Sequence, residues 1–287
     1  MAGAAPLDRA IERLGRWMLN RRGFVSRYVP TQSGLLHVYD KRCQGDGRET
    51  VVFLHGITSG ATPFGRLMKI MEAHVKRVIA PEALGHGFSE SPDNLHPDRL
   101  FEATSEFLNN ELKEPAVIYG NSMGGAIALR YAVENPEKVR GLILCSPAGA
   151  QMDADAYAEF LGRLNMTQRS QARDFVNALF HKTPWYSAII SRFIYKRFNR
   201  KSIRSLLDQV SMELMLDPDK LAGLNMPLML LWGQSERLLP EENLTFFENH
   251  LPSHALVKRP DCMGHVPHLE IPLALSEHIR GFLAQLP

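Results

Sequence analysis

Cysteine is scarce in this chain: Cys43, Cys145 and Cys262 are the only three in 287 residues. An odd, scattered set excludes a disulfide framework and a zinc pattern, and it fits a reducing compartment. Excess charge is missing as well. The net charge of +2 is too small to argue for nucleic acid as a partner. No apolar run approaches the roughly 18 residues of a membrane span. At the N-terminus, Asp8, Arg9, Glu12 and Arg13 interrupt the continuous apolar core that an export signal needs. The expectation is an unexported, cytoplasmic chain. Internal repeats and low-complexity blocks are also missing.

What is present is alternation. Short apolar runs closed by Gly, Pro or Asp cover 50–56, 77–82, 116–120, 141–147, 227–233 and 255–260. Most are apolar on both faces, as strands of a helix-covered parallel sheet are. Helical periodicity fills 64–75, 97–113, 123–135, 241–250 and 271–285. The fold class that follows is α/β, doubly wound, with an antiparallel pair around 24–30 and 34–42 leading into the sheet. One interval breaks the rhythm. From about 148 to 225 there are helical stretches and no buried strand. The expected organisation is therefore a core half over 1–147, with an amphipathic helix over about 6–20, a helical lid over 148–225, and a second core half over 226–287. Ligand crevices of open α/β sheets lie at the C-terminal strand edge, beneath such a lid.

The run Gly120-Asn-Ser-Met-Gly-Gly125 joins the strand at 116–120 to the helix beginning at 123. Three glycines there imply backbone approaches that a β-carbon would obstruct. A G-x-S-x-G turn between strand and helix lifts its serine above the sheet edge. Ser122 is the candidate nucleophile, and the N–H of Met123, at a helix N-terminus, faces a developing oxyanion. A serine needs a base. His265 follows Gly264 just past the last strand, and His268 competes but reads as the packed or partly exposed start of the final helix. The base needs an acid to fix its tautomer. Glu236, three residues past Gly233, is the candidate. Asp261 lies uncomfortably close to His265, and Asp153 and Asp155 are weaker alternatives. The loop His55-Gly56-Ile57-Thr-Ser-Gly60 supplies a second oxyanion donor, the N–H of Ile57. In it Gly56 gives the backbone room and His55 braces the turn. His37, His96 and His181 show no metal-ligand spacing, and no metal or organic cofactor is implied.

In order, these landmarks resemble the α/β-hydrolase superfamily over nearly the whole chain: His55-Gly56, Gly85-His86-Gly87-x-Ser89, Gly120-x-Ser122-x-Gly124, Trp232-Gly233 leading to Glu236, and Gly264-His265. The resemblance is to serine carboxylesterases and lipases with a helical lid, including monoacylglycerol-lipase-like enzymes. It implies ester hydrolysis through an acyl-enzyme. Two positions depart from the family pattern: Glu236 stands where Asp is usual, and Pro81-Glu82 stands where Pro-Asp is usual. A serine at 122 argues against the dehalogenases and epoxide hydrolases of this fold, which attack with aspartate. The alternative activity is hydrolysis of carbon–carbon bonds in aromatic ring-cleavage products, whose enzymes resemble this chain in Gly-Asn-Ser-Met-Gly-Gly. From another class comes a non-catalytic ligand-binding protein, which has no need of both Ser122 and His265.

Partners follow from the same residues. A small-molecule ester, or a lipid, is the expected substrate. The segment 182–204 holds seven Lys or Arg and no acid, with apolar residues from Trp185 to Phe198 at roughly helical spacing. The first 28 residues place Leu7, Ile11, Leu14 and Leu19 on one stripe beside Trp17 and Met18. The segment 182–204 can lie on an anionic membrane, put its apolar face over an acyl pocket, or be a solvated basic face above an ordinary lid. The N-terminal stripe can dock on the protein's own body, on a second subunit or on lipid.

Overall fold

Along the strand at 50–54, side chains alternate sides, and both sides are apolar. Val52 and Leu54 enter one core while Val51 and Phe53 enter another, as a period of two requires. The computed structural model of the protein describes residues 6–287. Its eight strands are β1 (Val25–Thr31), β2 (Gly34–Arg42), β3 (Thr50–Leu54), β4 (Arg77–Glu82), β5 (Ala116–Ser122), β6 (Val139–Pro147), β7 (Leu228–Leu231) and β8 (Leu256–Lys258). They form one sheet in the order β1-β2-β4-β3-β5-β6-β7-β8. β1 and β2 pair antiparallel, β2 meets β4 antiparallel, and all later pairs are parallel. Helices cover both faces, so every residue of β5 is buried. Each such buried Val, Leu or Ile contributes on the order of 2 kcal/mol.

Several boundaries differ from the sequence expectation. β7 and β8 are shorter than their apolar runs, although the Trp232 N–H still reaches the Lys258 carbonyl at 2.9 Å. β5 runs on through Ser122, which pairs across from Pro147. His268 sits not in the final helix (Pro272–Leu283) but in a separate short one, Pro267–Glu270.

Between β6 and β7 lie the helices Ala154–Leu164, Arg169–Leu179, Ser187–Phe198, Lys201–Asp208 and Pro218–Ala222. The first four share a small core built on Leu164, Met166, Phe175, Phe198 and Ile203, while Leu221 of the fifth packs into the main core. The basic stretch 182–204 is broken into two helices at Asn199, since Arg200 is extended and starts the second.

The first helix, Pro6–Arg21, does not dock through its apolar stripe. Leu19 is buried, whereas Ile11, Leu14, Trp17 and Met18 remain 43% exposed or more; the side chain of Leu7 lies outside the described residues. Its inner face is Glu12, Gly15 and Leu19, with Gly15 against Thr62 and Leu19 against Gly65. Among the described residues, no helix is long and apolar enough to cross a membrane.

Candidate active site

β5 passes into the helix Met123–Glu134 with no residue between, and the turn is possible because of its glycines. A β-carbon on Gly120 would strike the carbonyl of Gly124, and one on Gly124 would strike the carbonyl of Leu54. Ser122 is driven to φ 56° and ψ −121°, a conformation that non-glycine residues rarely hold and that is stored at functional sites. Its side chain lines a cavity of about 270 Å³ together with Ile57, His265, Phe193 and Leu238. Met123 is the first residue of its helix, so its N–H has no intrahelical acceptor.

The loop after β3 lies directly against the serine: a β-carbon on Gly56 would sit 3.2 Å from the Ser122 Cβ. Ser59 N–H closes a turn onto the Gly56 carbonyl at 3.2 Å, with Thr58 at φ 58°. His55 donates from Nδ1 to the Gly56 carbonyl at 2.8 Å and accepts the Ala83 N–H at Nε2, 3.0 Å away. Burial holds its pKa below the ordinary histidine range, so the imidazole is a neutral brace.

His265 and Glu236 meet. His265 Nδ1 donates to Glu236 Oε2 at 2.8 Å, and both side chains are buried. The other oxygen, Oε1, accepts the N–H groups of Leu238 and Leu239 at 2.8 and 3.1 Å. The extra methylene of glutamate lets one carboxylate hold its own loop and the imidazole together. Burial works against ionisation of Glu236, but His265 beside it, helped by these N–H groups, keeps the carboxyl below its usual range. The structure does not bring Asp261, Asp153 or Asp155 to His265.

Other residues hold the parts in register, and sequence reasoning missed them. Asn121 donates its amide to the carbonyls of Cys145 (3.1 Å) and His265 (2.9 Å), tying the histidine loop to the sheet. The His265 N–H reaches Leu179 O at 2.9 Å, in the helical interval. Glu82 is fully buried. Its carboxylate accepts from Ala61 N–H at 3.0 Å, Phe88 N–H at 2.8 Å and His37 Nδ1 at 2.9 Å, which joins the loops after β3 and β4. Despite burial, these donors, His37 foremost, hold its pKa down. Arg197 donates to Thr58 O and to Glu12 Oε1, both at 2.9 Å. His268 lines the cavity and is buried; burial first, then the neighbouring His265, push its pKa down to about 3.

A second cavity of about 190 Å³ opens on the other side of the serine, lined by Met123, Leu161, Leu206 and Leu216 among others. The two cavities share Ile57, Ser122 and Leu238.

Residues 51–277 match the family model described as the alpha/beta hydrolase family. The chain belongs to that family. This α/β hydrolase is similar to Lipase 3 of Moraxella sp., 24% identical over 235 residues, 77% of this chain and 73% of that protein. A 37% identity to 2-hydroxymuconate semialdehyde hydrolase of Pseudomonas sp. covers 103 residues, 34% of this chain and 36% of the other. Among solved structures, a bacterial membrane phospholipase A shares the fold with a TM-score of 0.79 at 22% identity, over 98% of this chain and 92% of that one. With the eight-stranded sheet, these findings make the protein an enzyme of the hydrolase class.

Proposed function

We propose that this hydrolase cleaves carboxylic esters with an apolar acyl chain through Ser122, His265 and Glu236. The observation that carries the reading is the position of Ser122 between two largely apolar cavities, which suits an ester with one apolar group on each side of its carbonyl. His265, oriented by Glu236, takes the proton of Ser122 as its oxygen attacks the carbonyl carbon. The N–H groups of Ile57 and Met123 receive the oxyanion, at about 3 kcal/mol per donor in comparable sites. The imidazolium then protonates the departing alcohol. Water, deprotonated by His265, attacks the acyl-enzyme and releases the acid and Ser122. The helices between β6 and β7 act as the lid, since Phe193 and Ile194 reach one cavity and Leu206 and Leu207 the other.

Carbon–carbon bond hydrolysis is the second reading, favoured by the 37% identity to a semialdehyde hydrolase. A ring-cleavage product carries a carboxylate and calls for a free cation. The guanidinium groups that line the cavities are engaged: Arg197 with Glu12, and Arg130 with Asp98 and Glu134. That supports the neutral ester.

The test is labelling with a fluorophosphonate, peptide mapping, and then a p-nitrophenyl ester chain-length series beside a ring-cleavage dienoate. One adduct on Ser122 is expected, with ester turnover falling by roughly 10⁴-fold or more in Ser122→Ala. Faster turnover of the dienoate would transfer the reading to carbon–carbon bonds. Folded protein that takes no adduct would point to a ligand-binding role.

A further inference from the structure

Large apolar side chains left in water are not spread evenly over this molecule. Ile11 and Leu269 line the cavity beside Ser122 and are each 46% exposed, so they mark its mouth. From Ile11 the exposed apolar surface continues along the first helix through Leu14, Trp17 and Met18. From Ile190, which also lines the cavity, it continues to Ile189, Tyr186 and Trp185, the last 90% exposed. The first helix is fastened to the helix Ser187–Phe198, which carries Ile189 and Ile190, by the Arg197–Glu12 ion pair at 2.9 Å. Single exposed apolar residues are ordinary on soluble proteins, but a contiguous set around a cavity mouth marks an interaction site.

We infer that the exposed faces of the helix Pro6–Arg21 and of the segment Trp185–Ile189 form one surface that docks on an anionic lipid bilayer, with the cavity mouth facing the lipid. Two observations select lipid over a protein partner. Charge is the first: Arg13, Arg21, Lys182 and Arg192 are all exposed, and the stretch 182–204 holds no acid. Cations flanking an apolar stripe are attracted to anionic headgroups. Side-chain type is the second. Trp232 is buried, and the chain's other two tryptophans, Trp17 and Trp185, both stand on this face, with Arg21 over the Trp17 ring at 5.2 Å. Indole rings settle at the headgroup level, where one end is apolar and the other wet. Of the three partners that the sequence allows for this stripe, this selects lipid: the helix holds the protein through Glu12, Gly15 and Leu19, and its apolar side is left for the bilayer.

Sedimentation of the full chain with vesicles tests this. Binding to phosphatidylcholine–phosphatidylglycerol vesicles is expected, weakened on the order of tenfold on pure phosphatidylcholine or in high salt. Trp17→Ser with Trp185→Ser should lower binding by at least about tenfold while hydrolysis of a short water-soluble ester stays unchanged. In the unaltered protein, tryptophan emission should shift blue on binding and be quenched by brominated lipid. Ser122→Ala should bind like the parent, so vesicle binding stands or falls apart from the catalytic reading. The inference is overturned if neither vesicle is bound, if the double variant binds equally, or if the parent is a dimer that the double variant splits while ignoring vesicles.

Discussion

Two histidines in this molecule give their Nδ1–H to a buried glutamate, His265 to Glu236 at 2.8 Å and His37 to Glu82 at 2.9 Å. Each also keeps company with a serine. Ser26 Oγ lies 2.6 Å from His37 Nε2, while Ser122 and His265 line one cavity. As lists of residue types the two sets are the same. Their surroundings differ. Ser26 lies inside β1, opposite Tyr39 of β2, in extended strand with no helix N-terminus behind it to receive an oxyanion. Ser122 stands at φ 56° at the head of a helix, with the Gly56 loop against it and apolar space on either side. A serine, a histidine and a carboxylate are therefore not enough for a reactive site: the backbone must also offer donors, and the fold must leave room for a carbonyl. The Ser26 set does other work: through Glu82 it holds the loops after β3 and β4 together.

This contrast can be broken by experiment. The largest effect is expected at Glu236→Gln, which keeps the shape but removes the charge behind His265; kcat/KM should fall by roughly 10³- to 10⁴-fold with the fold retained by circular dichroism. Glu236→Asp should fall between, since the shorter arm cannot serve Leu238, Leu239 and His265 at once. Glu82→Gln should lower kcat by roughly tenfold through a displaced Ile57 loop, leave KM nearly unchanged, and cost about 3 kcal/mol in urea unfolding, because it breaks a buried pair. A loss as large as that of Glu236→Gln would mean that Glu82 belongs to the chemistry. Acid comes next. His86 and His268 are buried and held neutral down to about 3, His86 by burial and then by His55. The unfolded chain takes up their protons once the pH drops below the ordinary value of 6.5, and the native chain does not. Stability should therefore fall as pH drops through that window, by about 2.7 kcal/mol per unit for the two together. A stability flat from pH 7 to 5 would contradict their burial. The smallest effect belongs to Ser26→Ala: about 1–2 kcal/mol of stability from an unpartnered His37, and kcat/KM within about twofold of the parent.

The local features of the site were legible in the sequence, and the long-range ones were not. Glycines spaced around Ser122 announce a tight turn within six residues, and strands buried on both faces stand out as continuous apolar runs. Asn121, Glu82 and Arg197 carry no such mark. The Asn121–His265 contact spans 144 positions and the Arg197–Thr58 contact 139, and no pattern at short spacing announces an interaction made by the fold. Glu236 shows the same limit from the other side: its position after a central strand nominates it, but the reason for a glutamate lies in two N–H groups beyond it. The first helix shows a different one. Periodicity finds its apolar stripe but is silent on which side the protein covers, and small residues such as Gly15 decided that.

The strand order has a consequence for the life of the chain in a crowded solution. A sheet of eight strands has two open rims, and each is a template on which another molecule's backbone can add. One rim here is β8, three residues long and ending on Lys258. The other is β1, where Pro30 has no N–H to offer and Arg27 places charge beside the ladder. Short, charged and proline-bearing rims resist the edge-to-edge growth that leads to fibres, so the exposed apolar surface near the cavity is left as the main route by which copies of this protein would stick to one another.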